Sequence, residues 1–487
     1  MDHTEVPVLD ALRAYHERGE LAFTPPGHKQ GRGAAPEARE ILGDAVYHSD
    51  LLVCGGLDDR RMKGEVLVRA ERLMADAVHA ERTFFSTCGS SLSVKAAMLA
   101  VAGPHEPLVI GRDAHKSVAA GLILAGIEPV WADPQWDEER RFTHAPSPEA
   151  FAEALDRHPG ARGALVTSPT PYGGTADLAA IAEVCHARGV PLVVDEAWGA
   201  HLPFHADLPS WAMDAGADVC VTSIHKMGSG LEQGSVFHLQ GPLVEPSALK
   251  SRADLFGTTS PSALIFAALD AWRRQMVLHG KDLLDEALRL AARVRFAIQE
   301  IPGLHVLGRD DLVGPRLAAD HDPLPVVIDV SGLGTSGYRA ADWLRAEHHI
   351  DMHLADHRRI EAQLTYADSA ETTGSLLAAL RELARHGDEL AADLPSVEVP
   401  AGAVMRLQQV CPPREAYFGP KEPLPLERAD GRICAETITP YPPGIPAVLP
   451  GERLTEPVLR YLRTGLDAGM NLPDVTDPEL RTIVVRR

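Results

Sequence analysis

The sequence predicts an α/β protein: a large domain with a mainly parallel sheet, a small α/β domain and a compact C-terminal α+β element. Three observations predict it. Apolar, β-rich runs alternate with helical patterns from about residue 61 to residue 241, an order that builds parallel sheets covered by helices. A shorter alternation recurs over residues 303–395. Beyond residue 395 the chain is rich in proline, yet Leu, Ile and Val stay frequent, so it folds rather than trails. The expected divisions are an N-terminal arm (1–60), the large domain (61–300), the small domain (301–395) and the C-terminal element (396–487).

The arm carries one helix near residues 8–19. Thr24-Pro-Pro-Gly-His-Lys-Gln-Gly31 is irregular, because its prolines and glycine break helix and strand alike. In the large domain the strands fall at 83–85, 108–110, 129–131, 164–167, 192–194, 219–222 and 236–239. Helices fall between them at 91–101, 117–124, 148–157 and 178–188. Two helical stretches follow, 262–278 and 283–301, the second stopped by Pro302-Gly303. The small domain reads as strand 326–330, helix 337–347, strand 362–366 and helix 372–385.

Composition narrows the function classes. The 487 residues carry 47 Lys and Arg against 68 Asp and Glu, a net charge of −21. Phosphate-rich partners are bound by cations, so nucleic acid and anionic membrane are poor partners for this chain. No apolar run approaches the roughly 20 residues that span a bilayer, and Met1-Asp-His-Thr-Glu5 lacks the basic start of a signal peptide. Six cysteines (54, 88, 185, 220, 411, 434) occur without a C-x-x-C pair, which suits thiols in a reducing cytoplasm.

The sharpest chemical signal is Ser223-Ile-His-Lys226, directly after the β-rich run 219–222. A lysine at the inner end of a strand is costly as a cation. Desolvation makes it useful as an amine for a carbonyl cofactor. Alone, the same motif is also what an exposed loop lysine gives. A second apolar strand ends in Asp195, and ligands of open α/β sheets sit outside strand carboxyl ends. Pyridoxal phosphate needs both a lysine for its aldehyde and a carboxylate for its ring nitrogen. Asp195 read alone is equally a helix cap. Glu196 competes for its role but faces the other way if the strand runs one residue further. Thr87-Cys-Gly-Ser-Ser-Leu-Ser93 opens a helical pattern; such a start is either an anion site or an ordinary serine cap. His115, after strand 108–110, has the ring to stack on an aromatic cofactor, or is a solvated loop histidine.

In combination these stretches resemble the Orn/Lys/Arg decarboxylase family, in its short form without an N-terminal wing domain. The resemblance rests on Pro26-Gly-His-Lys29 with Gly31, Gly56-Leu-Asp-Asp59, Cys88-Gly-Ser-Ser91, His115-Lys-Ser117, Thr170-Pro-Tyr-Gly173 and Asp195-Glu-Ala197 with Gly199-Ala-His201. It continues through Ser223-Ile-His-Lys226, Thr258-Thr-Ser-Pro-Ser262 and Tyr441-Pro-Pro-Gly-Ile-Pro446, all in the family's order. It implies a fold-type-I, aspartate-aminotransferase-like large domain. Pyridoxal 5'-phosphate would sit on Lys226, with Asp195 at the ring nitrogen, His115 on one ring face and Ala197 on the other. Ser90, Ser91, Ser223 and His225 would hold its phosphate. The segment with Thr258, Thr259 and Ser260 would reach a neighbouring subunit's cofactor, making a homodimer or larger homo-oligomer with shared sites. His28, Lys29, His353 and Glu436 would face the substrate, Glu436 suiting a distal cation.

The implied reaction is decarboxylation of a basic amino acid, arginine to agmatine first, with lysine and ornithine open. Catalysis would rest on Lys226, His225, Asp195 and His115, in the cytoplasm and with a place in polyamine biosynthesis. The chain departs from the family's usual pattern at Cys88, at Arg60-Arg-Met-Lys63 and at His353, where the pattern more often shows Glu. An aminotransferase or a deaminating or oxidising enzyme on the same fold is the rival reading, and a non-catalytic cofactor-binding relative the second. His348, His349, His353 and His357 read as ordinary or substrate-facing histidines rather than as a metal site.

Overall fold

The computed structural model describes residues 1–53, 57–58 and 65–487. Gly56 and Asp59 of one motif, and Arg60-Arg-Met-Lys63, lie outside the described residues. The strands are β1 (Arg82–Ser86), β2 (Pro107–Gly111), β3 (Glu128–Ala132), β4 (Pro134–Asp137), β5 (Phe142–Pro146), β6 (Ala164–Thr167), β7 (Gly174–Thr175), β8 (Leu192–Asp195), β9 (Val219–Ser223) and β10 (Ser235–Leu239). They continue with β11 (His305–Val306), β12 (Asp320–His321), β13 (Pro325–Asp329), β14 (Leu354–Ala355), β15 (Arg359–Gln363), β16 (Lys421–Pro425) and β17 (Thr482–Arg486).

The chain divides into two compact units. The first comprises Met1–Ala100, Val193–Ala206 and Ser210–Asp282. Its strands run in the order β1-β10-β9-β8. β8 and β9 are parallel, whereas β10 lies antiparallel to both β9 and β1. Val219, Val221, Val236 and Phe237 are buried, as befits strands covered on both faces. The arm helix Pro7–Arg18 ends on Gly19 in the left-handed region (φ 62°). Its start is held by a buried pair: the Val8 N–H donates to Asp270 at 2.8 Å, and Asp270 meets Arg273 at 2.7 Å.

The second unit comprises Val101–Leu192, Asp207–Pro209 and Leu283–Arg487. It holds β6, β2 and β3, parallel throughout, and a separate antiparallel sheet in the order β11-β13-β15-β14. Helix Gly337–His348 packs on β14 and β15. Gly337 permits this, because a Cβ there would stand 1.9 Å from the Arg359 carbonyl oxygen. Beyond residue 400, β16 and β17 pair antiparallel over a buried cluster that includes Leu407, Ile438, Val448, Val458, Leu462 and Val485.

Two expectations about elements need correction, and one element goes unforeseen. The two helical stretches around residue 280 are one helix, Ala263–Gln299, because a single interior glycine costs a helix only about 1 kcal/mol and does not stop it. The strand expected at 362–366 lies at Arg359–Gln363; its opening arginine reads as loop, yet Arg359 is fully buried against Asp356. The hairpin β4–β5 is absent from the sequence reading, since Pro134 and the charged run 137–141 mask a strand signal. The helix before the histidine cluster ends at His348, and His349 takes a left-handed conformation, so His349, His353 and His357 do not line one helix.

Candidate active site

The first unit gathers its chemistry at the ends of two parallel strands. Asp195 lies beside Val221 in register. Side chains alternate across a strand, so Asp195, Val221 and Ser223 share one face, and Val194, Cys220 and Glu196 share the other. Glu196 prolongs the ladder, its N–H donating to the Val221 carbonyl at 2.9 Å. It therefore turns away from Asp195.

After β9 a single helical turn, Ile224–Met227, carries His225 and Lys226. It sets the Lys226 ammonium over the Trp198 ring, 3.8 Å from the centroid. Burial lowers Lys226 from the ordinary lysine value to about 8, against the opposing pull of Asp195 and Glu232. Asp195 is 4% exposed. Burial raises its pKa, opposed by Lys226 and by the Ala197 N–H, which donates to Oδ1 at 3.3 Å. Both groups are thus pushed toward their neutral forms, as happens where a site holds charges it has not fully satisfied.

A helix start that could hold an anion lies beside them. Helix Gly89–Val101 begins with Gly89 at φ 75°, and nothing stands within 4 Å of the place its Cβ would take. The Ser223 hydroxyl donates to the Ser90 hydroxyl at 2.7 Å, joining the β9 end to this helix start. Ser91 follows, exposed, in the first turn. The His225 Nδ1–H donates to the Gly234 carbonyl at 3.2 Å, so in the neutral ring Nε2 carries the lone pair; it lies 3.9 Å from Glu232. The open cradle, the amine and the buried carboxyl are what pyridoxal phosphate requires, and this donor set fits it.

The remaining expected residues have the following surroundings. Thr258 and Ser260 are exposed with Thr259, and bond to each other, the Ser260 N–H donating to Thr258 Oγ1 at 3.1 Å. His28 pairs with Asp50 at 3.1 Å, and Lys29 donates to the Thr24 carbonyl at 2.6 Å. In the second unit, His115 caps helix Lys116–Ala125, its Nδ1 accepting the Ser117 N–H at 3.2 Å. Gly444 of the proline-rich motif passes against it. A Cβ there would lie 2.9 Å from the imidazole, and the Gly444 carbonyl accepts the Lys116 N–H at 2.8 Å. His353 donates its N–H to the Glu361 carbonyl at 2.9 Å. Both carboxylate oxygens of Glu436 accept backbone N–H groups, from Val484 at 2.6 Å and Thr476 at 2.8 Å.

Two features escape sequence reasoning. Trp198 is the Lys226 contact, but an aromatic inside an apolar segment reads as core. The second is a polar network in the second unit. Asp356 accepts from Tyr172 at 3.0 Å and from Arg359 Nε at 2.9 Å. Phe142 and Tyr172 flank the Arg359 guanidinium, with ring centroids at 4.6 and 5.6 Å. Tyr172, Asp356 and Arg359 line a cavity of about 670 Å³ within that unit. Phe142 and Tyr172 are too far along the chain from Asp356 and Arg359 to be joined to them by inspection.

The fold is that of a lysine decarboxylase of Francisella novicida, with a TM-score of 0.80 at 19% identity, covering 98% of this chain and 79% of that one. The α/β architecture of fold-type-I enzymes expected from the sequence is the one observed. The family model for the Orn/Lys/Arg decarboxylase major domain matches residues 6–313, and that for the C-terminal domain matches residues 404–478. The chain belongs to the Orn/Lys/Arg decarboxylase family. Over its full length it is also similar to two proteins named arginine decarboxylase. One, of Bacillus subtilis, is 36% identical over 485 residues, 100% of this chain and 98% of the relative. The other, of Bacillus anthracis, is 35% identical over 484 residues, 99% and 97%.

Proposed function

We propose that this protein converts L-arginine to agmatine and carbon dioxide, using pyridoxal 5'-phosphate, in a homodimer or larger homo-oligomer. The observation that carries the chemistry is the Lys226 amine set over Trp198 just past β9, with the buried Asp195 ending the neighbouring parallel strand; burial draws the lysine down to about 8. The full-length similarity to proteins named arginine decarboxylase supports the choice of substrate.

When bound, pyridoxal phosphate supplies an aldehyde for an amine and a ring that accepts the electrons freed as CO2 leaves. Lys226 Nζ would hold the cofactor and give way to the substrate amine. Asp195 would keep a proton on the ring nitrogen, where its negative charge matters most. Ser90, Ser91, Ser223 and the helix start would bind the phosphate, and His115 and Ala197 would confine the ring. A proton must then return to the substrate Cα, from Lys226 Nζ or, when the ring is protonated on both nitrogens, from His225 Nε2. Helix termini and hydroxyls act here as fixed dipoles that need no reorganisation.

The direct test is release of CO2 and amine from arginine, lysine and ornithine in parallel. Agmatine from arginine, with no keto acid formed, is the expected result; keto-acid formation would mean an aminotransferase. The shared site is tested by complementation. Subunits of a Lys226→Ala variant are exchanged with subunits altered at Thr258, Thr259 and Ser260. Activity returns in part if that segment serves the neighbouring subunit, and stays absent in proven heterodimers if it serves its own chain. No helix among the described residues is long and apolar enough to cross a membrane, and we assign the enzyme to the cytoplasm.

A further inference from the structure

We propose that Glu196 is a positioning residue for the cofactor site, clamping the turn that presents Ala197 and Trp198 while taking no part in the reaction. The proposal rests on the site reading above and extends it to the opposite face of β8.

Glu196 is fully buried. Its Oε2 accepts the Cys220 S–H and the Ala212 N–H, each at 3.2 Å. Cys220 belongs to β9, the strand that leads into Lys226. Above the carboxyl, the chain folds into a tight turn: the Gly199 N–H donates to the Glu196 carbonyl at 2.9 Å. A Cβ at position 199 would stand 2.4 Å from Glu196 Cγ, so the glycine lets the turn close onto this side chain. Trp198, between them, is the residue under the Lys226 ammonium. One side chain thus ties the turn to β9, and a shift of the turn would move both the Trp198 ring and Ala197.

The two neighbouring acids divide the work. Burial pushes the Glu196 carboxyl well above the ordinary range, and Asp214 and Asp195 push the same way. Its Oε1 meets no hydrogen-bond partner among the described residues, which a charged carboxylate could not sustain in an interior. Glu196, pushed toward its neutral form, holds position; Asp195, on the other face, is left as the acid that meets the cofactor.

The test compares Glu196→Ala with Glu196→Gln in the cofactor-loaded enzyme, reading kcat, KM and the pH midpoint of the cofactor's visible band. A displaced turn costs rate through misalignment, so Glu196→Ala should lower kcat about 10- to 100-fold with KM unchanged, and shift the midpoint. Glu196→Gln keeps an acceptor of the same length without charge and should restore both. If Gln is as damaged as Ala, or if Ala matches the wild type in kcat and midpoint, the proposal is overturned. Should Glu196→Ala fail to fold, Cys220→Ala, which removes only the S–H end of the clamp, must move the midpoint away from the wild-type value; a wild-type midpoint there overturns it equally. Lys226→Ala serves as the control, since a visible band surviving in that variant would refute the site reading and not the clamp.

Discussion

Asp195 in the first unit and Asp356 in the second are both buried acids at strand margins, and their surroundings drive them in opposite directions. Burial works against the charge of each. At Asp356 it is overcome: Arg359, His357 and backbone N–H groups bring the carboxyl down to about 2. That carboxylate accepts four hydrogen bonds, from Tyr172, Arg359 Nε and the N–H groups of Arg358 and Arg359. Asp195 has the 3.3 Å bond from Ala197 and the attraction of Lys226, and burial prevails. On the function proposed above, the difference separates a charge that holds the fold together from one that would meet the cofactor. A satisfied carboxylate contributes stability, whereas a poorly satisfied one costs stability and is retained for chemistry.

Substitutions should expose that division. The largest effect belongs to Lys226→Ala, which removes the amine itself; decarboxylation should fall by at least about four decades, as when a covalent catalytic group is deleted. Urea unfolding of the same variant should show little loss of stability, because a half-buried cation has been removed. Asp356→Asn should do the reverse. It leaves Arg359 buried without its counter-charge, and unfolding should be easier by about 3 kcal/mol. Asp195→Asn should lower kcat by about two to three decades, the scale of one tuned electrostatic contact, with stability unchanged or slightly raised. Equal stability losses at positions 195 and 356 would erase the distinction.

Two pH experiments sharpen it further. Asp356 lies below its unfolded value near 3.9, so its stabilisation is present above about pH 4 and lost as pH falls toward 2. Asp356→Asn should therefore flatten the acid limb of the stability curve by about 2 kcal/mol. Asp195 carries the opposite sign: its folded pKa is raised, the native state binds the extra proton, and its contribution falls as pH rises past about 4. The smallest effect concerns the rate at which cofactor-free protein takes up pyridoxal phosphate. It should rise through about pH 8, where Lys226 becomes a free amine, and not near 10.4, where an exposed lysine titrates.

The alternation of strands and helices, and the placing of Asp195 and Lys226 at strand ends, are legible in the sequence because both are local. β8 is a short apolar run that ends in Asp195, and Lys226 lies three residues past the end of the apolar run β9. What stays hidden depends on distant partners. Arg359 opens a strand and is fully buried because Phe142 and Tyr172, far away in the chain, flank the guanidinium that Asp356, three residues earlier, pairs with. Trp198 reads as core until Lys226 is placed above it. Glu436 reads as a substrate acid, but its oxygens are taken by the N–H groups of Thr476 and Val484 across the fold.

The central claim is that Lys226 carries the cofactor. Borohydride reduction of the loaded enzyme, followed by peptide mapping, tests it in one step. The account predicts a single label on the peptide containing Lys226. A label on Lys95, Lys116 or any other lysine would contradict it.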